Sequence, residues 1–446
     1  MKLVKSLLLG SAAGFAAVAG AQAADLPSRK AAPVEYVRVC SAYGAGFFYI
    51  PGTDTCLRVS GRVRAEYVVG KRFGTGQDGY GTRARGQVNF DARTATAYGT
   101  LRTFIRYQLN NNGGQYANSN VNGILFPGAR TTNSSDALLD LAFVQFGPIT
   151  AGRAQSFFDF YANDYGFNVV RTSDNRLNLL AYTATFGSGF SLTVSAEDRS
   201  SGTANREAGA VTRFGAAGVA LAGQEWPDVV ASLRVDQGWG SAQLSGAIAQ
   251  RKVNIAQNAF LARGGDHVGF AVQGGVKINL PFLAAGDALF LQAAYADGAV
   301  GYLGYGTNFG LGRFGPLVLG DISVDPVSGK VSSTKGYSFV AALRHYWTPQ
   351  LRSEVYGSYS KLDLRYTHAA AFYAGPVRSL DPKELRIGAN LIWSPVAGLD
   401  IGVDVLYQRV ELATRFQTLR NDVTRTGAFA KSQDGWVGRL RIQRDF

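Results

Sequence analysis

The segment Trp436-Val437-Gly438-Arg439-Leu440-Arg441-Ile442-Gln443-Arg444-Asp445-Phe446 constrains the fold more than any other stretch of the chain. Trp436, Leu440, Ile442 and Phe446 share one parity, with Gly438 and Arg444 between them. Val437, Arg439, Arg441, Gln443 and Asp445 hold the other. A strand places successive side chains on opposite faces, so this segment is apolar on one side and, apart from Val437, polar or charged on the other. Its length matches the ~9–11 residues with which a tilted strand crosses a bilayer. A soluble protein could end on such a strand, but the opposite end of the chain argues against that.

Residues 1–23 have the form of a secretory signal peptide. Lys2 and Lys5 make the basic start, Leu7-Leu8-Leu9 open an apolar run through Val18, and Ala21-Gln22-Ala23 is an A-x-A cleavage site. The competing reading, a retained membrane helix, is opposed by the Gly, Ala and Ser content of the run and by the lack of a basic stop-transfer segment. The mature chain is expected to start at Ala24, outside the cytoplasm. No later segment approaches ~18 uninterrupted apolar residues, so no transmembrane helix is predicted. The mean hydropathy of −0.02 looks soluble. A transmembrane β-barrel gives the same average, because lipid-facing and lumen-facing residues alternate.

Period two recurs along the chain. Leu57, Val59, Val63, Ala65 and Tyr67 oppose Arg58, Ser60, Arg62, Arg64 and Glu66. Further on, Leu399, Ile401, Val403, Val405 and Tyr407 oppose Asp400, Asp404 and Gln408. The pattern predicts sixteen strands at 57–69, 82–95, 98–110, 136–146, 149–154, 177–187, 189–198, 228–237, 240–252, 267–280, 287–297, 336–347, 351–364, 384–393, 399–411 and 436–446. Segment 149–154 is short, and 206–222 is assigned to a loop that could hide a strand.

The connections alternate between long and short. Gly147-Pro148, Gly238-Trp239-Gly240 and Thr348-Pro349-Gln350 are short; 111–135, 155–176, 199–227, 298–335, 365–383 and 412–435 are long. Outer-membrane barrels have short periplasmic turns, long external loops and an even strand count. If the first strand runs outward, Tyr67, Tyr107, Tyr295, Tyr337, Tyr359, Tyr407 and Trp436 fall on the lipid face near the outer rim. Phe186, Phe190, Trp347, Trp393 and Phe446 fall on the same face near the periplasmic rim. Two such aromatic girdles mark the headgroup levels of a barrel. The fold class is therefore all-β, a 16-stranded antiparallel transmembrane β-barrel. The chain divides into a signal peptide (1–23), an N-terminal periplasmic-side segment (24–56) and the barrel (57–446).

The formal net charge is +13, with Arg recurring at strand spacing rather than clustered. Nucleic-acid domains usually concentrate basic charge on one patch or helix, and export argues further against a nucleic-acid partner. Arg62 and Arg64, Arg83 and Arg85, and Arg102 and Arg106 share the inward parity of the first three strands, predicting a positive wall. Like charges are costly in a dry interior, so the lumen should be water-filled. The alternative, that these guanidinium groups only satisfy carboxylates such as Glu66 and Asp91, is expected for some of them. The segment Gln155–Phe167 carries six large rings, too many for a freely solvated loop. Folded into the barrel, it would bury those rings and leave Asp159 and Asp164 to face the Arg wall as an infolded constriction loop. The other reading places it at a subunit contact.

Cys40 and Cys56 are the only cysteines. An even pair in an exported chain points to a disulfide, worth roughly 3 kcal/mol on the chain-entropy model. A metal site is the competing reading, but His267, His345 and His368 are the only histidines and lie far off in sequence. Residues 310–315 match G-x-G-x-x-G with neither a strand before nor a helix after, so no dinucleotide site is expected. No nucleophile elbow, P-loop or zinc-protease motif is present. No cofactor and no metal are predicted.

The chain resembles the alphaproteobacterial outer-membrane porins of the Brucella and rhizobial type. The resemblance is carried by Ser6–Ala13 and Gly20–Asp25 in the signal, by Val34–Cys40 and Ala42–Val59 around the cysteines, by Phe143–Gly147, and by Arg441–Phe446. The Cys-flanked block is the most specific part, and the rest is similar in architecture and length. The resemblance implies a homotrimer, passive diffusion of ions and small hydrophilic solutes, and narrowing of the pore by the third external loop, 155–176. It also implies that Phe446 is an assembly signal read by the barrel-assembly machinery. Longer loops at 199–227 and 298–335 and the basic balance depart from the family pattern and leave solute preference open. The expected setting is the Gram-negative outer membrane with its lipopolysaccharide. Two other classes remain open, a plugged structural or adhesive barrel and a barrel lipid hydrolase. The latter would need a serine partner for His345.

Overall fold

The computed structural model describes residues 38–71, 78–116, 133–202, 210–212, 218–219, 221–223, 225–254, 266–306, 308–309, 317–325, 327–366, 379–417 and 429–446. The leader with its cleavage site, His368 and the 310–315 glycine motif lie outside them. The chain divides into two compact units, Met1–Cys56 and Leu57–Phe446. In the first, Cys40 and Cys56 are joined as a disulfide with Cα atoms 5.9 Å apart. The bridge is packed with Phe47, Tyr43 and Tyr49 around it, and Cys40 N–H donates to Phe47 O at 2.9 Å.

From Cys56 onward the described residues form sixteen barrel strands: β1 (Cys56–Gly70), β2 (Tyr80–Thr96), β3 (Gly99–Gly114), β4 (Asn133–Phe146), β5 (Ile149–Gln155), β6 (Arg176–Thr185), β7 (Phe190–Glu197), β8 (Asp228–Gln237), β9 (Gly240–Lys252), β10 (Asp266–Asn279), β11 (Ala288–Asp297), β12 (Lys335–Thr348), β13 (Leu351–Asp363), β14 (Lys383–Val396), β15 (Leu399–Gln417) and β16 (Phe429–Asp445). Each pairs with its sequence neighbour, and β1 pairs with both β2 and β16, which closes the sheet into an antiparallel barrel. Closure leaves no edge with unpaired backbone groups, a condition for strands in lipid.

Alternation is the physical reason these segments form this barrel. Val63 and Tyr67 of β1 are 60% and 50% exposed on the outer surface, while Glu66 between them is 1% exposed and faces inward. A lipid-facing Arg or Lys at mid-bilayer would cost about 2–4 kcal/mol, so the charged set takes the lumen. The girdles are visible in the registers. Tyr295 lies opposite Tyr337, Tyr407 opposite Trp436, and the Tyr337 and Tyr359 rings are 6.4 Å apart. At the seam Gly61 lies between the β1 residues of outward parity, and Phe446 covers it. The two backbones exchange bonds of 2.9 and 3.1 Å, and a Cβ on Gly61 would run into the Phe446 ring.

Two long loops depart from their sequence reading. Segment 206–222 holds short strands, Ala210–Thr212 and Gly218–Val219, that do not belong to the barrel wall. They form a small sheet with Ile322–Val324 and Val331–Ser333, in which Ala210–Thr212 runs parallel to Ile322–Val324 and the other pairs are antiparallel. The 298–335 loop, expected outside, turns inward for part of its length. Its 3-10 turn Val300–Leu303 is wholly buried. Tyr302 donates to Asp228 Oδ2 at 2.9 Å and packs edge-on against Phe158 at 4.7 Å. Asp321 accepts from Val300 N–H at 2.8 Å and from the buried Arg251 at 2.7 Å.

Candidate functional site

Residues 156–175 leave β5 at Gln155 and cross the lumen. Their rings pack against the inner wall: Phe160 and Tyr161 lie 5.8 and 5.2 Å from Phe290, and Tyr165 lies 5.2 Å from it. Their backbone amides are taken up by wall side chains on many strands. Phe157 N–H donates to Glu197 on β7 at 3.0 Å, and Tyr161 N–H to Gln292 on β11 at 2.9 Å. Gly166 N–H donates to Glu354 on β13 at 2.9 Å, and Phe167 N–H to Asp404 on β15 at 3.0 Å. Arg171 closes the span, bonding Glu384 on β14 at 2.7 Å and the Gly304 carbonyl of the second infolded loop at 2.7 Å. The loop thus lines the β7–β16 side of the lumen. Buried loop amides need partners, and inward-facing carboxylates and amides supply them.

The opposite side, β1–β4 with the end of β16, carries the arginines. Arg62 forms a two-bond pair with Asp445 at 2.6 and 2.9 Å. Arg102 and Arg93 share Asp91, with bonds of 2.8–3.0 Å. Arg106 reaches Asn89 at 3.0 Å and Asp140 at 3.4 Å, and Arg176 lies 3.5 Å from the same Asp140. Arg83, Arg439 and Arg441 converge on buried Glu66, the closest at 2.7 Å. Arg64 and Arg85 are different: they bond the neutral amides of Gln443 at 2.8 Å and Asn110 at 2.7 Å. Among the described residues neither has a carboxylate within ion-pair distance. Guanidinium stays charged at any physiological pH, and on this wall guanidiniums outnumber carboxylates.

The structure therefore brings Arg62, Arg64, Arg85, Arg102 and Arg106 together on one wall. The two loop aspartates do not face them as a pair. Asp159 is buried at the loop base, where it accepts from Gln155 at 2.5 Å and from Asn175 N–H at 2.7 Å. Its carboxylate is spent holding the turn as the chain leaves the wall. Asp164 is exposed in the lumen, and the charges acting on it are those of Asp174, Lys277, Arg344 and Arg234. Enclosure within the barrel, reinforced by Asp174, raises its carboxyl above the ordinary range, against those three cations. Asp174, absent from the sequence-based set, bonds Asn163 at 3.2 Å and lies 3.8 Å from Arg176. It could have been found as the third acid of the same loop.

His345 bonds Asp287 at 2.6 Å and pairs across strands with Ser353. The Ser353 hydroxyl, however, accepts from the Trp347 indole at 2.8 Å. No hydrogen bond joins His345 to Ser353, so the arrangement lacks the base–nucleophile contact a hydrolase needs.

The profile of the family described as "Porin subfamily" matches residues 25–439. Porin Omp2b of Brucella canis is 34% identical over 316 residues, covering 68% of this chain and 76% of that protein. Omp2b of Brucella abortus gives the same figures. Among solved structures, the outer membrane channel DcaP of Acinetobacter baumannii aligns with a TM-score of 0.62 and 17% identity, over 89% of this chain and 99% of that one. That likeness shows a shared fold. Barrel, internal loop, charged lumen and family match agree, and the chain belongs to the porin subfamily: it is a Gram-negative outer-membrane diffusion pore, a channel rather than an enzyme.

Proposed function

We propose that this pore prefers anions, that Arg62, Arg64, Arg85, Arg102 and Arg106 carry the preference, and that the protein works as a homotrimer. The observation that carries the reading is the pair Arg64 and Arg85, whose guanidinium groups bond neutral amides rather than a carboxylate. Rings of Arg or Lys are the usual device of anion-selective pores. Asp164 works against them from the loop side. The trimer is what the family resemblance implies.

Planar-bilayer recording tests the reading. Conductance should rise in steps of three, and the reversal potential in a KCl gradient should fall on the chloride side. Acidification neutralises Asp164 at a higher pH than an ordinary carboxylate, because its pKa is raised. The chloride bias should therefore grow as pH falls from neutrality. A potassium bias at neutral pH refutes the charge assignment.

Residues 1–23 are proposed to direct export, and 24–56 to form a disulfide-closed segment on the periplasmic side. Phe446 is proposed as the residue read by the barrel-assembly machinery. Its seat on Gly61 supplies a second role, because an aromatic packed across a strand glycine helps pin register. Deleting Phe446 should lower the outer-membrane yield severalfold while total synthesis is unchanged. Gly61→Val, which displaces the ring without removing it, separates the two roles. Normal surface levels in the deletion would reduce Phe446 to a girdle aromatic.

A further inference from the structure

The outer surface of β10–β14 is not uniformly convex. It holds a depression of about 1080 Å³, floored by Gly274, Ala293, Ala341 and Gly357 and flanked by Phe339 and Ile387. These positions share the lipid-facing parity, and Phe339 and Ile387 are 53% and 50% exposed. The small residues are what make the hollow. An added Cβ at Gly274 meets nothing within 4 Å, so the space over the strand is open. A hollow in this face is filled in the membrane by a hydrocarbon chain of matching shape, since water there has no polar partner.

The rim above the hollow carries an unusual charge pattern. Tyr359 and Leu385 line its outer end and lie opposite each other on β13 and β14. One rung further out on the same face, roughly 7 Å along the strands, Lys361 lies directly opposite Lys383. Like charges directly opposed across strands destabilise a sheet. Three neighbouring cations at this rim have carboxylates: Lys335 with Asp297 at 3.0 Å, Arg365 with Asp363 at 2.9 Å, and Arg409 with Glu411 at 4.0 Å. Glu411 is the other cross-strand neighbour of Lys383, but among the described residues neither lysine lies within ion-pair distance of a carboxylate. Both stand at the end of the barrel that carries the long loops, the outer leaflet.

We propose that this hollow and the Lys361–Lys383 pair form a lipid site for the phosphorylated glycolipid anchor of lipopolysaccharide. One acyl chain lies in the hollow, and a phosphate sits between the two ammonium groups. A phosphate resolves the like-charge opposition by accepting from both lysines, and its acyl chain reaches the Gly274 floor from the same side of the membrane. Neither part requires the pore lining, so the site stands apart from ion selectivity.

Native mass spectrometry of the full-length protein in detergent, with diphosphoryl lipid A as probe, tests the assignment. The wild type should retain one lipid A per chain and hold phosphatidylglycerol about tenfold less tightly. Lys361→Gln with Lys383→Gln should weaken lipid A retention by about tenfold by removing the phosphate partners. Gly274→Phe should do so with both lysines intact, by filling the hollow. Unchanged single-channel conductance identifies each variant as folded, and either variant alone decides the matter if the other fails to assemble. Full retention by a conducting variant overturns the proposal. So does equal binding of phosphatidylglycerol, which would make the site one for any anionic lipid. Dissociation of the oligomer by Gly274→Phe with lipid A still bound would make the hollow a subunit contact and overturn it as well.

Discussion

Replacing Arg64 and Arg85 together by glutamine should move the reversal potential in a KCl gradient strongly toward the potassium side. The two side chains bond only to neutral amides, so their removal strands no carboxylate, and glutamine keeps a donor for Gln443 and Asn110. Arg62→Gln is a different change, because it leaves Asp445 without its two-bond partner. An abandoned carboxylate of this kind costs about 1–3 kcal/mol or more when shielded from water, so that variant mixes charge with structure. Arg102→Gln is milder, since Asp91 keeps Arg93. The shift for Arg64 and Arg85 should shrink with salt, as the screening length falls to ~10 Å at 0.1 M and ~3 Å at 1 M. An unmoved reversal potential at low salt would mean that permeating ions do not pass along this wall.

The second large effect is expected from the loop anchors. Asp404 receives Phe167 N–H, the Asn168 amide and the Tyr356 hydroxyl, and Glu354 receives Gly166 N–H and the Asn390 amide. Hydrogen bonds to charged groups contribute about 1.5–3 kcal/mol each. Asp404→Ala with Glu354→Ala therefore removes the carboxylates that hold the backbone of residues 166 and 167 to the wall. Single-channel conductance should rise severalfold and become noisy, while heat-modifiable migration on gels reports an intact barrel. A quiet channel of unchanged conductance would show that the remaining ties, those to Gln292 and Glu384 and the Arg439 bond to the Phe167 carbonyl, keep the loop in place.

The barrel was legible in the sequence because lipid on one side and water on the other force period two. Alternation fades where both faces see water, which explains the strand ends. The alternation places the last strand at 436–446, whereas it spans Phe429–Asp445, and starts the fourth at 136, whereas it begins at Asn133. These extra residues continue the hydrogen-bonded ladder beyond the bilayer without an apolar face. The Arg wall was legible for the same reason, since parity assigns a strand residue to a face. Asp159 was misassigned because a loop has no parity, and only coordinates show its carboxylate turned back to Asn175 N–H. The inward turn of the second long loop could have been found. Val300, Tyr302, Leu303 and Tyr305 are as apolar as the rings of the 155–176 loop, and the same argument from exposed aromatic surface applies to them.

The internal loop takes its partners from strands spread over more than half the circumference, from Glu197 on β7 to Asp404 on β15. A hollow cylinder of sixteen strands can be squeezed into an oval without breaking any rung of its ladder, because flexing is shared along many hydrogen bonds. Cross-ties change that mechanical situation. Flattening this cylinder would have to stretch bonds to Glu197, Gln292, Glu354, Glu384 and Asp404 at once. The filter and the brace are one object, and the calibre of the pore is held by the same ties that keep the wall round.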